Sequence, residues 1–219
     1  MKYAAVIFDL DGTLLDTIED IADCTNRTLA ERGFPTFPLE QYRHWVGDGL
    51  RKLFESALPV GNDDNGTVAS CMEQFRGFYR DGWNIKTKPF IGLADVVTEV
   101  NASGRKTAIL SNKPHSFAMK CIEQFFGLDN FDVSLGQLDE TPAKPDPAGA
   151  LQIIEQLAVA KEEVAMVGDT PTDVKTAVAA GIDPIGVSWG YRPADEVVAA
   201  GARQIADTPA ELLSILLSD

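Results

Sequence analysis

The chain opens on Ala4-Ala5-Val6-Ile7-Phe8, an unbroken apolar run that stops at two aspartates one residue apart, Asp9 and Asp11, followed by Gly12 and Thr13. A run of this length, rich in Val, Ile and Phe, fits a strand buried on both faces, which is the condition of strands in a parallel sheet. Parallel strands need crossover connections, usually helices, so this feature commits the chain to an α/β layout. It also marks a site, because ligands of open α/β sheets lie beyond the carboxyl ends of the strands. In an extended chain Asp9 and Asp11 point the same way. Two carboxylates so placed need a cation or a shared proton, and a hard divalent ion such as Mg²⁺ is the usual partner of carboxylates together with phosphate oxygens.

Two textures follow. Helices are predicted over 17–32, 39–46, 50–58 and 67–79, interrupted by Gly33 and Pro35, by Gly47-Asp48-Gly49 and by the polar turn 59–66, and nothing in this part alternates as a strand would. From Pro89 onward helices over 93–102, 114–126, 147–157, 172–180, 194–200 and 209–217 are interleaved with strands over 107–110, 133–135, 164–167, 184–187 and 204–206. Interleaving of this kind implies right-handed βαβ units and a sheet covered on both faces. The expected fold is a doubly wound, Rossmann-like parallel-sheet core, residues 1–15 and 89–219, with a small all-helical domain, residues 16–88, inserted after the first strand.

The 219 residues, 45% hydrophobic, are enough for a packed core. A net charge of −14 disfavours nucleic acid and anionic membrane as partners. The apolar run at 4–8 is too short to span a bilayer, ends in acids and lacks the small-residue cleavage pattern of a signal peptide, so the chain reads as cytoplasmic. Cys24, Cys71 and Cys121, odd in number and without a C-x-x-C pair, read as buried reduced thiols.

The later strand ends repeat the pattern of Asp9. The strand 107–110 runs into Ser111-Asn112-Lys113-Pro114, and 164–167 into Gly168-Asp169, with Asp173 four residues on. Between them Lys144 stands before Pro145 in a loop. Each has an ordinary reading too: Ser111 or Asn112 as helix caps, Lys144 as a surface charge, Asp173 as a first-turn helix acid. As an ordered set they resemble the motifs of the haloacid dehalogenase superfamily: D-x-D-G-T at 9–13, the Ser/Thr motif at Ser111, the lysine motif at Lys144 and G-D-x-x-x-D at 168–173. The helical insertion resembles the cap domain of one branch of that superfamily, so the likeness spans the whole chain.

That resemblance implies a phosphatase. Asp9 would attack phosphorus to give an aspartyl phosphate, and Asp11 would serve as acid and base. Mg²⁺ would bind a carboxylate oxygen of Asp9, the backbone carbonyl of Asp11 and the carboxylate of Asp169, with Asp173 orienting a bound water or Lys144. Gly12, Ser111, Asn112 and Lys144 would hold the phosphoryl oxygens. The second aspartate speaks against dehalogenation, which has no alcohol to protonate. A phosphosugar mutase of the β-phosphoglucomutase type keeps the same motifs and cap, as do a pyrophosphatase or other sugar-phosphate phosphatases of this fold.

Two stretches, 45–50 and 187–192, look most like bacterial phosphoglycolate phosphatases, which suggests 2-phosphoglycolate among small phosphorylated metabolites. On this view the loop Gly47-Asp48-Gly49 with Arg51 contributes to substrate choice, and Arg43, His44, Arg51 and Lys52 could meet a small carboxylate or simply face solvent. The quaternary state expected is a monomer or homodimer.

Overall fold

The computed structural model describes residues 2–218. Strand β1 (Ala5–Phe8) lies inside a six-stranded sheet ordered β5 (Val133–Gln137), β4 (Lys106–Pro114), β1, β6 (Val164–Gly168), β7 (Asp183–Val187), β8 (Gln204–Ala206). Every pairing in it is parallel. Alternate residues of β1 serve opposite faces. Val6 and Phe8 pack with Leu93, Val97, Ile122 and Leu212 of helices α5 (Leu93–Ala102), α6 (His115–Phe125) and α10 (Pro209–Leu217). Ala5 and Ile7 pack with Ile153, Leu157 and Ala177 of α7 (Ala148–Leu157) and α8 (Pro171–Ala180). This is the doubly wound α/β architecture expected from the opening run.

The strand order places the site. From β1 the chain builds outward on one side through β4 and β5, then crosses to the other side for β6, β7 and β8. Ligands of such sheets bind where the winding reverses, and β1 stands there between β4 and β6. Phe8 is level with Ile109 and with Val167. Asp9, Ser111 and Asp169 therefore leave three adjacent strands within two residues of one level.

Between β1 and the next unit of the sheet, helices α1 (Ile18–Glu31), α2 (Leu39–Trp45), α3 (Leu50–Ala57) and α4 (Asn65–Gly82) close around an apolar cluster of their own, with Leu29, Phe54, Val68 and Phe75 inside it. Phe117 of α6 and Tyr191 are the sheet side's contributions to that cluster. The two crossings to these helices run side by side as an antiparallel ribbon, β2 (Leu15–Asp16) with β3 (Lys88–Pro89). No strand was expected in this part, because two residues are too few to show a period. Asp20, buried on α1, grips the returning crossing: its carboxylate accepts from Lys86 N at 3.0 Å, Thr87 N at 2.8 Å and Thr87 Oγ1 at 2.7 Å.

One strand outruns its expected length. β4 continues to Pro114, past a shift of register after Leu110, and α6 starts at His115. Ser111, Asn112 and Lys113 are thus buried strand-end residues rather than helix caps. The apolar pattern ends at Leu110, so these three polar residues hid the extension.

Candidate active site

Four acids and two lysines, all buried, gather where β1, β4 and β6 end. Carboxylate oxygens of Asp9, Asp169 and Asp173 lie within 4.8 Å of one another. Lys144 is the cation among them, its Nζ 2.7 Å from Asp9 Oδ1 and 2.6 Å from Asp173 Oδ1. Burial works against that ammonium, but Asp173 and Asp9 together hold its pKa above the ordinary lysine value. One lysine does not balance three acids. Burial first, and the charge of Asp173 second, hold Asp9 well above the usual carboxylate range and push Asp169 up to about 7.

Local structure fixes each acid. Asp169 accepts from Thr13 Oγ1 and from Tyr191 N, both at 2.8 Å. Asp173 completes a capping box at the start of α8, its Oδ2 accepting from Thr170 N at 3.0 Å and Thr170 Oγ1 at 2.7 Å. With Oδ1 given to Lys144, both oxygens of Asp173 are engaged. Gly12 lets the first loop pass close beneath: its φ is +90°, and a Cβ there would stand 2.4 Å from Asp169 Oδ2. Hard oxygen donors, crowded and short of positive charge, with backbone pressed against them, fit a divalent cation such as Mg²⁺.

The carboxyl group of Asp11 belongs to a different neighbourhood. It accepts from Lys113 Nζ at 3.0 and 3.2 Å and from Thr17 Oγ1 at 2.8 Å. Lys113 also donates to Tyr79 Oη of α4 at 2.8 Å. Burial opposes the Lys113 ammonium, but Asp11, Tyr79 and Cys121 together outweigh it, so its pKa is raised. Asp9, Asp11, Ser111 and Lys113 share one cavity, roofed by Ile21, Val46, Leu53 and Phe75 from the helical layer.

The expected residues divide accordingly. Asp9, Asp169, Asp173 and Lys144 form one cluster, while Asp11 and Ser111 join Asp9 at the cavity wall. Ser111 Oγ accepts from Lys113 N at 3.2 Å and keeps its own hydrogen to donate. Four expectations need correcting. The Gly12 N–H donates to Leu15 O at 2.8 Å, so Gly12 serves by its missing side chain rather than as a phosphate donor. Asn112 is a tether: Oδ1 accepts from Lys144 N at 2.8 Å, and Nδ2 donates to Lys144 O and Gly47 O, both at 3.0 Å. Asp48 accepts from the Thr172 hydroxyl and clasps the glycine loop to α8 instead of facing the cavity. Arg51 turns to Asn65 Oδ1 at 3.2 Å and Glu55 Oε1 at 3.9 Å on the outer face of the helices. Gly47 and Gly49 do line the cavity, whereas Arg43, His44, Arg51 and Lys52 do not.

Sequence reasoning missed Lys113 as a member of the site, along with Thr13, Thr17 and Tyr191. A signal existed for three of them, Thr13 being the last residue of the D-x-D-G-T stretch. Lys113 sits in the same strand-end tetrad as Ser111, and the Trp189-Gly190-Tyr191 stretch follows another buried strand, β7; a Cβ on Gly190 would come 2.2 Å from Asp169 Cβ.

Comparison with known proteins agrees with this geometry. The family model described as haloacid dehalogenase-like hydrolase matches residues 6–187. The phosphoglycolate phosphatase of Psychrobacter arcticus is 32% identical, over 99% of this chain and 97% of that protein. The N-acetylmuramic acid 6-phosphate phosphatase of Pseudomonas aeruginosa is 29% identical over 99% of this chain and 95% of its own length. Among solved structures, a Lactobacillus delbrueckii subsp. bulgaricus protein superposes with a TM-score of 0.94 at 29% identity, both chains covered in full. CbbY from Rhodobacter sphaeroides, in complex with phosphate, shares the fold with a TM-score of 0.78 at 24% identity, each chain covered to 96%. The four motif clusters, the winding of the sheet and these likenesses together place the chain in the haloacid dehalogenase-like hydrolase family.

Proposed function

We propose that this chain is a Mg²⁺-dependent phosphatase of small phosphate monoesters that works through a phosphorylated Asp9, with residues 16–88 acting as a cap over the site. The observation that carries this reading is the separation of the two aspartates: both line one cavity, but Asp9 belongs to the acid cluster and Asp11 does not. An oxygen of Asp9 attacks phosphorus, and the ester P–O bond breaks as Asp11, which takes up a proton from solvent as the substrate binds, gives that proton to the leaving oxygen. Asp11 then takes a proton from the water that attacks the aspartyl phosphate, and inorganic phosphate departs as the bond to Asp9 breaks. Lys144 and the hydroxyl of Ser111 stabilise charge on the phosphoryl oxygens. Asp9, Asp169 and the carbonyl of Asp11 would hold Mg²⁺, which when bound supplies further neutralisation of that charge.

2-Phosphoglycolate is the first substrate to test, since it is the ester that the names of several relatives indicate. The mostly apolar roof argues for including bulkier esters, N-acetylmuramic acid 6-phosphate among them. The test is phosphate release from a panel of such esters, with Mg²⁺ and with chelator. Turnover that needs Mg²⁺ and disappears in Asp9→Asn is expected. Failure to hydrolyse any ester, or activity that survives both chelator and Asp9→Asn, would sink the reading, and formation of an isomeric sugar phosphate in place of free phosphate would indicate a mutase.

A further inference from the structure

We propose that Lys113 and Tyr79 are positioning residues that set the carboxyl group of Asp11 for proton transfer. This rests on Asp11 being the acid and base. Its own evidence is a chain of contacts that crosses from the helices to the sheet: Tyr79 Oη accepts from Lys113 Nζ at 2.8 Å, and the same Nζ stands 3.0 and 3.2 Å from the two oxygens of Asp11. All three residues are buried.

The Tyr79 hydroxyl is carried by α4. Its ring stacks on Phe75 with centroids 5.0 Å apart and meets the edge of Phe117 at the same distance. An ammonium has three donors, and without Tyr79 one of them would be left unpaired in a buried setting, free to draw Lys113 away from Asp11.

A second contact points the same way. Thr17, the residue before α1, makes no side-chain cap to its own helix and gives its hydroxyl to Asp11 Oδ1 at 2.8 Å. A threonine at this position ordinarily caps. Thr17 lies just beyond β2, where the chain enters the helices, so Asp11 is held from the entry crossing and from α4 at once. Oδ1 receives two donors and Oδ2 only the longer one, which leaves Oδ2 as the oxygen with capacity to exchange a proton with substrate or water. The hydrogen-bonding side chains around Asp9, Asp169 and Asp173, by contrast, are Lys144, Thr13 and Thr170, none of them on α1–α4.

The test compares two esters in Tyr79→Phe, which removes the hydroxyl and keeps the ring. An alkyl phosphate needs its leaving oxygen protonated, whereas a dinitrophenyl phosphate does not, and kcat/KM reports steps only through cleavage of the ester. A loss of about tenfold for the alkyl ester with less than about twofold for the aryl ester is expected, and a larger loss of the same selectivity in Lys113→Met. Equal losses for both esters, or none for either, overturn the proposal. Should Lys113→Met not fold, Tyr79→Phe decides alone, with its melting temperature as the control. If the unaltered protein hydrolyses neither ester, the phosphatase reading has failed instead.

Discussion

Asp9 and Asp11 are two positions apart in the chain and live under different rules. Around Asp9 the sheet has assembled three acids and one lysine, held by short hydrogen bonds and closely approached by glycine backbone. This region is complete in shape and incomplete in charge. Around Asp11 the charges are matched, carboxylate against Lys113, but two of the groups that hold them, Thr17 and Tyr79, belong to the crossing and to α4. That region is complete in charge and draws part of its shape from the helical side. On the proposed reading a cation would finish the first, serving phosphate binding, while Thr17 and Tyr79 set the second for proton transfer.

The difference can be attacked from its strongest point downward. Asp9→Asn removes the attacking oxygen and should lower kcat by at least about a thousandfold, with no phosphate trapped on the protein after acid quench; retained turnover would erase the distinction between the two aspartates. Gly12→Ala forces a methyl group toward Asp169 at a positive φ, so calorimetric titration should show Mg²⁺ bound about tenfold or more weakly, while Tyr79→Phe leaves that titration unchanged.

The third handle is pH. Asp169 holds its proton up to about 7 in the folded chain, against 3.8 ordinarily, so Mg²⁺ must displace a proton below pH 7, and affinity should fall up to about tenfold for each pH unit below it. Stability without Mg²⁺ runs the other way: the raised pKa contributes stability that is full below pH 3.8 and lost as pH rises through about 7, a slope that thermal melts should show and Asp169→Asn should flatten. The smallest effect concerns the clasp of the glycine loop. Asp48→Ala loses its bond to Thr172 and should raise KM about two- to threefold with little change in kcat, because Asn112 still ties Gly47 to the sheet side.

Much of this was legible in the sequence because the sheet's chemistry is local. A buried strand ending in a polar residue declares both its partner faces and its place in the site; three such ends led to Asp9, Ser111 and Asp169, and a proline-bounded loop to Lys144. What stayed hidden was of three kinds. The β2–β3 ribbon is too short for any period. The pairing of Lys113 with Asp11 joins residues 102 apart, and nothing in either neighbourhood advertises the other. Direction was the third: Arg51, Asp48 and Asn112 were found at sensible places, but only packing says that Arg51 turns outward, that Asp48 reaches α8, and that Asn112 spends its amide on the backbone of Lys144.

The ribbon also bears on how such a protein can change. Entry to and exit from the four helices are hydrogen-bonded to each other over Leu15 to Pro89, with Asp20 fastening the second crossing. Along the chain, the helical unit is joined to the sheet through this double thread. A unit attached in that way can be enlarged, shrunk or exchanged for another without altering the register of β1, β4 and β6, so on the proposed reading the leaving group would be free to drift while the reaction is kept.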